Sequence, residues 1–143
     1  MEQYLEFATN HPLLLLALVG TLGLIAWSFI SPRFTGYHHV DAQGAVPLLN
    51  REGGVMLDIR ETKEFQEGHV VNAMHIPINT LEKRHVELIR YKDKPVIVAC
   101  RSGSRSSAAC KTLRKAGFEQ VYMLNGGMLS WESAKLPVTR KKK

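Results

Sequence analysis

Cysteine is scarce in this chain. Cys100 and Cys110 are the only two in 143 residues, too few for a disulfide scaffold, so any core must be built from apolar packing. Eleven glycines and six prolines exclude collagen-like and low-complexity material, and no internal repeat or flexible linker interrupts the chain. Neither cysteine stands in a metal-ligand spacing, and the sequence offers no site for a metal or an organic cofactor, so none is expected. The net charge of +6 is dispersed, without aromatic interleaving, which argues against nucleic acid as a partner. The most informative absence lies at the start, where the first 32 residues contain no Lys or Arg and only two charged side chains, Glu2 and Glu6.

Residues 13–30 (LLLLALVGTLGLIAWSFI) are 18 consecutive positions without a charge. At about 1.5 Å per residue they span roughly 27 Å, close to the ~30 Å hydrocarbon thickness of a bilayer. Pro12 stands at the start, Pro32 beyond the end, and Trp27 near one edge, where an interfacial aromatic belongs. A cleaved signal sequence would begin with basic residues, and a buried core helix is rarely apolar on every face for this length. A retained transmembrane helix is therefore expected, preceded by a short N-terminus over residues 1–12. After residue 32 the balance is 19 basic against 11 acidic residues, or +8, beginning with Arg33. The positive-inside rule then predicts a single-pass protein of a bacterial-type inner (plasma) membrane, N-terminus outside and domain cytoplasmic. The reducing cytoplasm would keep both cysteines as thiols. Small residues at Ala17, Gly20, Gly23 and Ala26 form a face that would let a partner membrane helix approach.

The remaining residues alternate short apolar runs with helical patterns. Residues 55–57 end at Asp58, 96–99 at Cys100, and 121–124 at Asn125, Gly126 and Gly127. Unbroken apolar runs suit strands covered on both faces, the habit of parallel sheets. Val40 is expected to open the sheet and residues 75–76 to add a short strand. Leu81, His85, Leu88 and Ile89 share one helical face, and Ala109, Leu113 and Ala116 another that stops at Gly117. A helix over 41–50 should start late or kink at Pro47. An α/β domain follows, with a mostly parallel central sheet flanked by helices and preceded by one transmembrane helix. It is placed at 38–138, leaving 139–143 (TRKKK) as a basic tail.

Ligands in such sheets gather at the carboxyl ends of the strands. There, directly after the strand at 96–99, come Cys100, Arg101, Ser102, Gly103, Ser104, Arg105 and Ser106. A tight loop of small residues entering a helix turns its amides inward as a positive nest. A thiol at its mouth, among those donors and two guanidinium groups, is held as thiolate. Gly103 supplies backbone freedom, and the three serines offer hydroxyls or a helix cap. Cys110, one and a half turns into the helix, is expected to be packing.

This loop resembles the active-site loop of rhodanese-like domains. The resemblance extends to Asp58, Ile59 and Arg60, to Glu64 and Phe65, to Gly68, His69 and Val70, and to the stretch NAMHIP at 72–77. It closes with Gly117, Phe118, Val121, Tyr122, Leu124, Gly126, Gly127, Trp131, Leu136 and Pro137, in the family's order. It implies a rhodanese-type sulfurtransferase: Cys100 takes a sulfane sulfur from a donor such as thiosulfate, and a thiol or cyanide acceptor removes it. Cys100 would be nucleophile and persulfide carrier, and the amides of residues 101–105 would cradle the charged sulfur. The Arg101 and Arg105 side chains would attract the anionic donor, with Asp58 and Arg60 bracing the loop. His69 and His75 would be structural. Four residues separate Cys100 from Arg105, one fewer than in cysteine-based phosphatases of related fold, which favours one sulfur over a phosphate. A membrane-tethered interaction module and, more weakly, a phosphatase are the alternatives.

Overall fold

A computed structural model describes residues 1–30 and 36–140 of the chain. They divide into two compact units, one before residue 36 and one from residue 36 onward. Arg33, Pro32 and the last three lysines lie outside the described residues.

The first unit is two helices, α1 (Glu2–Asn10) and α2 (Pro12–Ile30). Within α2 the stretch Pro12–Phe29 has a mean hydropathy of 2.0, none of it is buried, and it is long and apolar enough to cross a membrane. Gly20 and Gly23 meet no neighbouring atom, so the small-residue face is open.

In the second unit the elements run β1 (His38–Val40), α3 (Ala42–Asn50), β2 (Val55–Asp58), α4 (Thr62–Glu67), β3 (His69–Val70) and β4 (Met74–His75). They continue with α5 (Leu81–Arg84), β5 (Pro95–Ala99), α6 (Ser106–Lys115), β6 (Gln120–Leu124), α7 (Gly127–Ser133) and β7 (Val138–Thr139). Five strands form one sheet in the order β1-β6-β5-β2-β4, every pair parallel. A small antiparallel pair, β3 with β7, joins His69 to Thr139, one residue past the sequence-based edge of the domain.

Both faces of the sheet are covered, which is why β2 and β5 carry no polar alternation. Val55, Leu57, Val96, Val98 and Val121 point to one face, where α6 supplies Ala109, Cys110 and Leu113. Met56, Ile97, Ala99 and Leu124 point to the other, against Ala42, Ala45, Phe65, Met128 and Trp131. Each fully buried Leu, Ile or Phe side chain contributes about 1.5–3 kcal/mol relative to its exposed state. The two layers hold the carboxyl ends of β2 and β5 in register, with Asp58 opposite Ala99.

One of the two alternatives for α3 is excluded, and a second helix departs from expectation. α3 starts at Ala42, not late, because the Asp41 side chain accepts from the Gly44 amide at 2.6 Å and caps it. Pro47 stays inside the helix on its exposed side, where the carbonyl left without a donor can meet water. The apolar stripe at 81–89 is not one α-helix: α5 gives way to a 3-10 helix over His85–Tyr91. His85 Nδ1 lies 2.9 Å from the Glu82 carbonyl, a local contact that competes with the helical ladder. The tighter period of three keeps Leu88 buried beside Tyr91 and turns Ile89 outward, 59% exposed. Gly117, with φ +92°, ends α6 as expected.

Candidate active site

Cys100 follows the last residue of β5, and the chain then curls through residues 101–105 into α6. Gly103 adopts φ +99°, a backbone that only glycine enters without strain, and this turn aims its amide at the Cys100 sulfur, 2.9 Å away. The thiol is wholly buried. Burial pushes its pKa up. The Ser106 hydroxyl and the amides of Arg105, Gly103 and Ser106 more than offset that, and the net pKa lies below that of an ordinary thiol. The sulfur's amide donors are thus Gly103 and Arg105 within the span expected from sequence, with Ser106 just beyond it. The Ser106 Oγ is fully buried and, among the described residues, has no aligned hydrogen-bond partner. It does not cap α6; Ser102 and Ser104 do not either, their hydroxyls lying 3.4 Å from each other on the exposed rim.

The two arginines differ in a way the sequence did not indicate. Arg105 does not face the sulfur's approach with a free guanidinium: it makes a two-pronged ion pair with Glu64, at 3.1 and 3.0 Å. That pairing lowers the Glu64 pKa from that of an ordinary carboxylate. Arg101 is exposed and has no ion pair among the described residues. It opens on a cleft of about 620 Å³ that Arg60, Glu64, Leu129 and Arg140 also line.

Asp58 and Arg60 brace each other more directly than they brace the loop. Both are buried, with Arg60 Nη2 2.6 Å from Asp58 Oδ2 and 2.7 Å from the Gly68 carbonyl. Their link to Cys100 runs through backbone, the Ile59 amide donating to the Ala99 carbonyl at 3.0 Å. His69 and His75 stack on Phe65, at 3.7 and 4.3 Å between ring centres, and their ring nitrogens contact the Phe65 and Arg60 carbonyls. Both have their ring contacts within the framework. Cys110 is buried near the Tyr122 carbonyl, and burial pushes its pKa up to about 12.

The floor of the loop comes from a segment in which only a closing pattern was visible. The amides of Met128 and Leu129 donate to the carbonyls of Cys100 and Arg101, at 2.8 and 3.1 Å. This approach needs Gly127: its φ is +56°, and a Cβ there would collide with the Cys100 and Arg101 carbonyl oxygens. Two consecutive glycines at a strand's carboxyl end were the available signal.

These contacts set the pH behaviour. A lowered pKa keeps Cys100 ionised above its own midpoint, so the rate of alkylation by iodoacetamide is expected to fall only at a lower pH than for free cysteine. Cys110 is silent across that range. Ser106→Ala, lacking the hydroxyl, is expected to move the midpoint upward; a wild-type midpoint at or above that of free cysteine would contradict the site's electrostatics.

With this geometry in view, residues 42–134 match the family described as Rhodanese-like domain. YibN of Escherichia coli (strain K12) is 30% identical over 143 residues, spanning 99% of this chain and 100% of that protein. Thiosulfate sulfurtransferase GlpE of Vibrio cholerae serotype O1 is 34% identical over 100 residues, 70% of this chain and 92% of GlpE. A crystal structure of a rhodanese-related protein from Thermoplasma volcanium has a TM-score of 0.63 at 30% identity, covering 73% of this chain and 100% of that one.

Proposed function

The chain belongs to the rhodanese-like domain family, and from that premise we propose that it is a membrane-anchored sulfurtransferase working through a persulfide on Cys100. The observation that carries the reading is the Cys100 sulfur itself, buried with the Gly103 amide 2.9 Å away and with donors that shift its pKa below that of an ordinary thiol. The likeness to a thiosulfate sulfurtransferase supports the choice of reaction.

In the first half-reaction the Cys100 thiolate attacks the outer sulfur of thiosulfate. A sulfur–sulfur bond forms to Cys100 while the bond within thiosulfate breaks, its electron pair leaving with sulfite. In the second, an acceptor thiolate or cyanide attacks the outer persulfide sulfur, and the bond to Cys100 breaks to regenerate the thiolate. Neither step needs an external oxidant or a base. The ring amides stabilise negative charge on sulfur in both resting and loaded forms. Arg101 supplies the free cation that draws an anionic donor to the rim, while Arg105, neutralised by Glu64, fixes the far end of the ring. Because the thiol is covered, the rim must yield for the donor to reach it.

The anchor is α2, inserted once, with the N-terminus outside and the second unit on the cytoplasmic side. The +8 balance after residue 32 supports that orientation.

The test is mass spectrometry of the chain after thiosulfate treatment. One reducible sulfur is expected on the peptide holding Cys100, released as thiocyanate by cyanide. No added sulfur and no thiocyanate would overturn the assignment, and turnover of an aryl phosphate instead would transfer it to phosphatase chemistry.

A further inference from the structure

The first helix of the chain is sharply two-sided. At about 100° per residue, Met1, Tyr4, Leu5, Phe7 and Ala8 fall within one arc of roughly 160°, and Glu2, Gln3, Glu6, Thr9 and Asn10 fill the other side. No residue of α1 is buried, and Tyr4 and Leu5 are 81% and 68% exposed. Nine residues are too few to hold a helix in water on propensity alone, so the apolar side needs a cover.

The junction with α2 indicates what that cover is. Pro12 disfavours helical geometry at His11, and His11 adopts φ −132°, ψ 59°, so the helix breaks there instead of running on. The break is nonetheless tied down. The His11 amide donates to the Phe7 carbonyl at 3.0 Å, its own carbonyl accepts from Leu14 and Leu15 at 3.1 and 3.3 Å, and its ring lies 5.0 Å from that of Phe7. A helix that stops one residue before a membrane span, with its apolar side intact, has its end fixed at the edge of the hydrocarbon. Glu2 and Glu6 are its only charged side chains, which disfavours an anionic lipid surface.

We infer that α1 lies along the membrane surface, its Tyr4, Leu5 and Phe7 side sunk between the headgroups of a zwitterionic leaflet. The inference rests on the reading of α2 as a span, and the test separates the two. In full-length chains carrying Cys100→Ser and Cys110→Ala, a single cysteine is introduced as Leu5→Cys, Glu6→Cys or Leu18→Cys and labelled with an environment-sensitive fluorophore. Each is reconstituted in phosphatidylcholine vesicles containing a spin label at shallow or deep acyl positions. Shallow quenching is expected to be at least about twofold stronger for the Leu5 label than for the Glu6 label, as for a helix half-sunk in the interface. The Leu18 label should respond to the deep spin label. Equal shallow quenching at Leu5 and Glu6, with Leu18 deep, overturns the surface helix and leaves the span standing. A Leu5 label shielded from water yet unquenched by lipid puts that face against another chain and also overturns it. A Leu18 label untouched by the deep spin label overturns both.

Discussion

A Cys100→Ser chain is expected to form thiocyanate from thiosulfate and cyanide no faster than the reagents do without protein. The serine hydroxyl has nearly the same size and would occupy the same buried position, so the fold is expected to survive; far- and near-ultraviolet circular dichroism should match the parent. What disappears is the chemistry. The amides of Gly103, Arg105 and Ser106 that favour a thiolate cannot bring an aliphatic hydroxyl near ionisation at neutral pH. An oxygen at that position also cannot store a sulfur in a bond that a thiol readily exchanges. Cys110 offers no substitute, since burial holds its pKa at about 12 and keeps it a thiol. Residual turnover in the variant comparable to the parent would remove Cys100 from the mechanism.

The largest effect on stability is expected from Asp58→Ala. Arg60 is buried with Asp58, and removing the carboxylate leaves a cation whose remaining hydrogen-bond partner among the described residues is the Gly68 carbonyl. Breaking one side of such a pair costs about 3–5 kcal/mol, a large part of the 5–15 kcal/mol that holds a typical domain folded. The Arg60 carbonyl also meets His75, and Ile59 ties this turn to β5, so the loss should reach the Cys100 loop. Denaturant midpoints of Asp58→Ala and of the double variant Asp58→Leu/Arg60→Met decide the matter. The double variant, with no stranded charge, is expected to recover most of the lost stability. Equal midpoints for Asp58→Ala and the parent would show the pair to be energetically idle.

Much of the fold is legible from the residues because both sheet faces are covered. The runs at 55–57, 96–99 and 121–124 are apolar without alternation for that reason, and each became a parallel strand. The loop at 100–106 is legible because a thiol followed by small residues and a glycine has few other uses after a buried strand. Side-chain allegiance is not legible. Nothing local to Arg105 shows that its guanidinium is claimed by Glu64, 41 positions earlier, instead of facing the substrate. The stripe at 81–89 shows the same limit: a period of three and a period of 3.6 agree over one turn and diverge by the second, which is where Ile89 swings out. Asp41 outweighed Pro47 at α3 because a cap acts at the start, whereas the proline's lost hydrogen bond falls on a wet face.

The backbone of Cys100 hangs from Met128 and Leu129, and only Gly127 lets them come close. Reactivity at this position is therefore a late acquisition. Until residues 127–129 are in place, the carbonyls of Cys100 and Arg101 lack the amides that hold them, and the turn that aims the Gly103 amide at the sulfur has no floor. A chain ending before residue 127 is therefore expected to carry a sulfhydryl that reacts with iodoacetamide no faster than free cysteine does.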